Sequence, residues 1–149
     1  MTRRVLLDSG PLGEATHPRG NPDFAAWVKG LLASRVQVVI PEIADYELRR
    51  TYLHRRKLKS VERLDKLKEL LTYQPLDTAT MQKAAQNWAD ARRQGRPTAD
   101  PKELDIDVIL AAQAQLAGGM VATSNVAHLD SFVPAKSWRD ISPHDGFAE

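Results

Sequence analysis

The chain has 149 residues, 42% hydrophobic and 27% charged, the balance of one globular domain with a real core rather than a disordered or multidomain chain. It contains no cysteine, which excludes a disulfide framework and a thiolate zinc site, so any metal must rest on oxygen ligands or on the four histidines. With 21 Lys and Arg against 19 Asp and Glu the net charge is only +2, and the placement of charge matters more than its sum.

The first element is VLL from Val5, three aliphatic residues that read as a strand buried on both faces and ending on Asp8. The apolar run after Arg3 and Arg4 is too short for a secretory signal, and no run approaches the roughly 18 to 20 residues that span a bilayer. A cytoplasmic protein is expected, with no membrane partner. A turn-rich segment, GPLGEATHPRGNP, follows, then DFAAWVKGLLAS, whose apolar residues recur at helical spacing. VQVVI from Val36 is a second strand, ended by Pro41, which a first helical turn tolerates. EIADYELRRTYLHRRKL reads as one long helix. SVERLDKLKELL reads as another, with Ser60 as N-cap and Arg63 or Asp65 on its wet side. YQPL from Tyr73 is a third short strand or an extended link. DTATMQKAAQNWADARRQG is a helix capped by Asp77 or Thr78 and stopped at Gly95, and RPTADPKE is a loop. LDIDVILAAQAQLAGG is apolar nearly all round, which predicts a helix buried on most faces. MVAT is a fourth strand and SWRDI a candidate fifth. Short apolar strands alternating with helices predict a single α/β domain over 1–149, a mostly parallel sheet of four to five strands between two layers of helices.

In such a sheet ligands bind outside the carboxyl ends of the strands, and Asp8 stands at one, although a cap or turn role would also place an acid there. Glu47 is more informative. At about 100° per residue Ile43, Ala44, Leu48 and Thr51 form an inward arc of their helix, and Glu47 falls inside it. Burying an unpaired carboxylate costs several kcal/mol, so Glu47 calls for a metal, a water-filled pocket or a pairing with Arg50. Glu42 is less unusual, because a first helical turn favours negative charge. Asp105 and Asp107 open the apolar helix, where acids complement the dipole and Asp105 is a candidate N-cap. Asp107, followed at once by VILAA, has little exposed surface left to it. Asp8, Glu47 and Asp107, with Asp105 beside them, can therefore meet in one cleft. Carboxylates gathered there without bases stay ionised only around positive charge, which Mg²⁺ or Mn²⁺ supplies while activating water for displacement at phosphorus. RRTYLHRRKLK, from Arg49 to Lys59, carries six Lys and Arg and no acid, a candidate polyanion footprint or a solvated face.

Competing sites fit less well. GPLG lacks the third glycine of a dinucleotide loop, and Pro11 removes a backbone N–H that a phosphate needs. A dehalogenase-type phosphatase would carry a second Asp at the position of Gly10, and a receiver domain would carry acids where Arg3 and Arg4 stand. Ser9 is in no GxSxG elbow and is read as bonding the loop backbone or orienting Asp8.

Taken in order and at their separations, VLLDSGPL, IPEIADYELRR, DVILAAQA and VATSNVAHL resemble the PIN-domain ribonucleases, most closely the VapC-like toxins of prokaryotic toxin–antitoxin pairs. The resemblance implies a PIN-like three-layer α/β/α fold, Mg²⁺- or Mn²⁺-dependent cleavage of RNA, frequent homodimers, and inhibition by a small antitoxin protein. Its acids map onto Asp8, Glu47 and Asp107 as catalytic and metal-holding residues; Asp105 has no firm counterpart in the pattern and is a candidate additional ligand or support to one. Its fourth position falls on Asn125, where many members carry Asp, and Leu129 replaces a usual aromatic; both departures bear on metal number and on activity. Ser9, Arg49, Arg50 and Asn125 are the candidate substrate contacts. The competing function is a catalytically weak or inactive RNA- or protein-binding module on the same fold.

Overall fold

A computed structural model describes residues 2–95 and 101–145. Its elements are β1 (Arg4–Leu7), α1 (Ser9–Thr16), α2 (Pro22–Ala33), β2 (Gln37–Pro41), α3 (Glu42–His54), α4 (Leu58–Leu70), β3 (Thr72–Gln74), α5 (Thr78–Arg93), α6 (Pro101–Ala117), β4 (Met120–Ala122), α7 (Val126–Leu129) and β5 (Ala135–Lys136). The five strands form one sheet in the order β3-β2-β1-β4-β5, and every neighbouring pair is parallel. Central β1 explains the absence of alternation in VLL: Val5, Leu6 and Leu7 are all fully buried. Their alternate side chains serve different layers. Val5 and Leu7 join Leu12, Phe24, Leu31 and Leu64 of α1, α2 and α4, whereas Leu6 joins Ile43, Ile106, Leu110 and Leu129 of α3, α6 and α7. This is the expected three-layer α/β/α arrangement. Among the described residues no helix is long and apolar enough to cross a membrane.

Several local expectations change. The turn-rich segment after Asp8 begins with α1, because Pro11 lies in a first turn, where its missing N–H costs nothing, and Asp8 caps the helix. The expected single helix over EIADYELRRTYLHRRKL breaks after His54: Arg56 adopts a left-handed φ of 56°, and the Lys57 N–H donates back to the Tyr52 carbonyl at 2.8 Å. Arginine stands where glycine is the usual signal, which hid the break. Ser60 is therefore a buried residue inside α4 rather than its N-cap. Of the expected loop RPTADPKE, residues 96–100 lie outside the described residues, while Pro101 already starts α6. Asp105 is thus not the N-cap, and both it and Asp107 lie beyond the first turn. The fifth strand is Ala135–Lys136 rather than SWRDI, whose Trp138–Asp140 forms a 3-10 turn. There Trp138 packs against Phe24, ring centroids 5.2 Å apart, and Trp27 donates to the Ile141 carbonyl at 2.9 Å, tying the C-terminal segment to α2.

Asp77 caps α5 as expected, its Oδ1 accepting from the Thr80 N–H at 2.8 Å. Asn21 caps α2: its Oδ1 accepts from the Phe24 N–H at 3.2 Å, while its Nδ2 donates to Glu14 Oε2 at 2.9 Å. Asn21→Ala is expected to cost about 1 kcal/mol, the usual worth of such a cap, read as a lower urea midpoint with an unchanged slope. An unchanged midpoint would show that α2 is held by Phe24 and the tryptophans alone.

Candidate active site at the carboxyl edge of the sheet

Parallel pairing brings the carboxyl ends of β1 and β4 side by side, with Leu7 opposite Ala122 and the Asp8 N–H donating to the Ala122 carbonyl at 3.0 Å. Asp8 is therefore the first residue beyond β1, and it is only 6% exposed. Both carboxylate oxygens are held: Oδ1 accepts from the Ser9 N–H at 2.7 Å, and Oδ2 accepts from the Thr123 hydroxyl at 2.7 Å. Burial pushes this carboxyl above the ordinary carboxylate range, and the two hydrogen bonds only partly oppose that. The Thr123 hydroxyl accepts in turn from the Asn125 N–H at 2.9 Å, so the exit of β4 grips Asp8 through one side chain. Gly10 lets the first turn of α1 lie close to this exit, because a Cβ there would meet Ser124 Oγ at 3.0 Å.

Asp107 reaches the same segment from the other helical layer. Its Oδ2 lies 3.9 Å from His128 Nδ1 of α7, next to Leu129, which packs in one cluster with Ile106 and Ile43. Asp8 and Asp107 thus contact opposite ends of a single short stretch, Thr123 to His128. Glu47 is half-buried, one helical turn beyond Ile43 on the face of α3 that joins this cluster. Among the described residues it makes no ion pair. Its expected alternative partner, Arg50, lies instead over the Tyr46 ring, 5.2 Å from the centroid. Gln113, fully buried in α6, fixes the two helices to each other and to the sheet. Its Oε1 accepts from the Ile43 N–H at 3.2 Å, and its Nε2 donates to the Gln74 carbonyl at 2.8 Å.

Other sequence candidates lie elsewhere. Asp105 is exposed, about 200° around α6 from Asp107, and lines a groove with Met81 and Trp88 of α5. Arg49 is engaged: its Nη2 pairs with Asp45 at 3.0 Å and Asp65 at 2.7 Å, and Lys68 joins Asp45 at 3.6 Å. A guanidinium shared between two carboxylates is not free for a phosphate. Glu42 accepts from the Leu76 N–H at 2.7 Å and anchors the loop leading to α5. Ser9 serves Asp8 through its backbone N–H, and Asn125 is exposed at the start of α7. Two residues gave little sign of themselves in the sequence. Thr123 was visible only as the end of MVAT. Asp45 is a buried acid whose single clue was Arg49 four residues on.

Oxygen donors without thiolates fit a hard cation. Among the described residues, however, no three His, Asp or Glu side chains stand close enough to form a ligand set. Mg²⁺ commonly keeps several waters and takes only one or two carboxylates, so the arrangement fits a hydrated ion rather than an all-protein cage.

The PIN domain family model matches residues 5–130. FitAcB from Neisseria gonorrhoeae is 23% identical over 92% of this chain and 99% of its own, with a TM-score of 0.72. VapBC2 from Rickettsia felis, solved bound to a DNA fragment from its promoter, is 14% identical over 91% and 98%, with a TM-score of 0.75. VapBC-1 from nontypeable Haemophilus influenzae is 18% identical over 92% and 99%, with a TM-score of 0.72. At these identities the likeness establishes the fold alone. No curated protein is significantly similar in sequence.

Proposed function

The chain belongs to the PIN-domain family, and from that premise we propose that it is a Mg²⁺- or Mn²⁺-dependent endoribonuclease, the toxin of a toxin–antitoxin pair. The observation that carries this reading is Asp8, buried at the carboxyl end of β1 and clamped by Thr123, with Asp107 meeting the same β4 exit through His128. A divalent ion bound there would supply positive charge to the phosphoryl oxygens and acidify water. Asp8 and Asp107 would hold the ion, and Glu47 would act through its water, orienting it for attack. Water so placed would add to phosphorus as the ester P–O bond breaks, with one of its protons passing to the departing oxygen. Thr123 positions the Asp8 carboxylate, so the geometry of attack depends on a residue that never meets the substrate. An antitoxin as binding partner is supported by the VapBC and FitAcB folds; RNA as substrate, a homodimer and a cytoplasmic setting belong to the same proposal.

The second reading, a PIN-like binding module with little turnover, is favoured by exposed Asn125 at a position where an acid is usual. The test is cleavage of generic RNA by the purified chain with Mn²⁺ against EDTA, and for Asp107→Ala against wild type. Cleavage that needs Mn²⁺ and falls at least about 100-fold in Asp107→Ala is expected, beyond the 10- to 100-fold typical of a metal ligand's outer partners. RNA bound but left intact at every metal concentration would establish the binding module instead.

A further inference from the structure

The basic stretch from Arg49 to Lys59 divides in two on folding. Arg49 is consumed by acids, but beyond the left-handed turn at Arg56 the cations change character. Arg56, Lys57 and Lys59 line a pocket of about 440 Å³ with His17, Pro18 and Arg19 from the end of α1 and with Tyr52 at its side. No acid lines it. Among the described residues Arg19, Arg56, Lys57 and Lys59 make no ion pair, whereas Arg49, Lys68, Arg93 and Lys136 all do.

All four cations on this pocket are exposed, and the backbone walls that carry them are tied to one another. Arg63 Nη2 donates to the Pro18 carbonyl at 2.8 Å, pinning one wall to α4, and the Tyr52 and Thr16 hydroxyls share a 2.6 Å hydrogen bond beneath it. The Arg19 N–H donates to His17 Nδ1 at 3.1 Å, which leaves the imidazole proton on Nε2. Arg56 itself occupies the helix-ending position with φ 56°, where glycine is the unstrained choice. Arg35 ends α2 with the same backbone, φ 62°, so it is the place of Arg56 on the pocket wall, not its φ alone, that bears on the pocket.

We propose that this pocket is a phosphate-binding subsite for the backbone of a single-stranded RNA. It deepens the ribonuclease reading and rests on it for the identity of the polyanion. The pocket lies at the far end of α1 from Asp8, a helix of eight residues and so about 12 Å. A strand of a few nucleotides laid along α1 joins the two. Cationic side chains of this kind position a backbone without reading its sequence.

The test uses the full chain carrying Asp8→Asn, in EDTA, titrated with a fluorescent single-stranded RNA oligonucleotide at several salt concentrations. Arg56→Gly, and Arg19→Ala combined with Lys59→Ala, are each expected to weaken binding about tenfold and to flatten the log–log salt slope by about 0.7 for each phosphate no longer neutralised. Lys83→Ala on α5 is expected to change neither. The melting temperature of Arg56→Gly should be no lower than that of its parent, since glycine relieves the left-handed turn. Affinity and slope left unchanged by the pocket variants, equal losses in Lys83→Ala, or no RNA binding by the parent would overturn the subsite. RNA binding that depends on Arg56 in a chain whose wild type never cleaves RNA would uphold the pocket and sink only the nuclease.

Discussion

Asp8→Asn is expected to lower the proposed metal-dependent RNA cleavage by at least about 100-fold and to raise the melting temperature at neutral pH. The loss follows from replacing the anionic oxygen held at the carboxyl end of β1 by a neutral amide, a far weaker partner for a divalent ion. Thr123→Val, which removes only the hydroxyl that orients that oxygen, is expected to cost about 10- to 100-fold, as partners of metal-holding carboxylates usually do. The gain in stability has the opposite sign for an electrostatic reason. Burial raises the Asp8 carboxyl in the folded chain above its ordinary value of 3.8, so the folded state binds this proton more readily than the unfolded one. The stabilising contribution of Asp8 is then complete below 3.8 and is lost as pH rises through the higher folded value. Once ionised, buried Asp8 weakens the fold, and asparagine removes that penalty. Melting curves of the two proteins should therefore separate near pH 7 and converge towards acid. An asparagine variant that melts below wild type at pH 7 would mean that the Ser9 and Thr123 hydrogen bonds outweigh desolvation.

Leu110→Ala is expected to lower stability by about 2 to 5 kcal/mol, the range for emptying a leucine-sized volume in a packed core. Leu110 is fully buried in α6 and belongs to the cluster of Leu6, Ile43, Ile106, Val121 and Leu129 that joins α3, α6 and α7 to one face of the sheet. At the few degrees per kcal/mol expected for a domain of this length, the melting temperature falls by roughly 6 to 15 °C. The same cluster sets Glu47 and Asp107 relative to Asp8. Cleavage should consequently fade on warming well before the wild type loses it, and return on cooling. A Leu110→Ala protein that melts within a degree of wild type would show that α6 collapses into the space, and the positioning argument built on this cluster would go with it.

Periodicity and composition carried the sheet, the buried helix and the acids at 8, 47 and 107, because each is a local violation of pattern. VLL lacks alternation where two layers cover it, Glu47 interrupts an apolar arc, and Asp107 precedes an unbroken apolar run. Features that depend on a partner distant in sequence left no such trace. Arg49 looks like a phosphate contact until Asp65, from the next helix, claims it. Thr123 looks like the end of a strand until parallel pairing sets β4 beside β1 and turns its hydroxyl to Asp8.

The α/β class, the carboxylates available for a hard cation, and the family to which the motifs point were legible in the linear chain. Tertiary structure alone decided that Asp105 faces α5 while Asp107 faces α7, that Arg49 is spent on acids, and that four unspent cations gather at the far end of α1. The division has one cause: side-chain type and spacing specify what a residue can do. Whether it does so depends on which charges and hydroxyls long-range packing brings within about 3 to 4 Å, and the linear order of residues does not contain that distance.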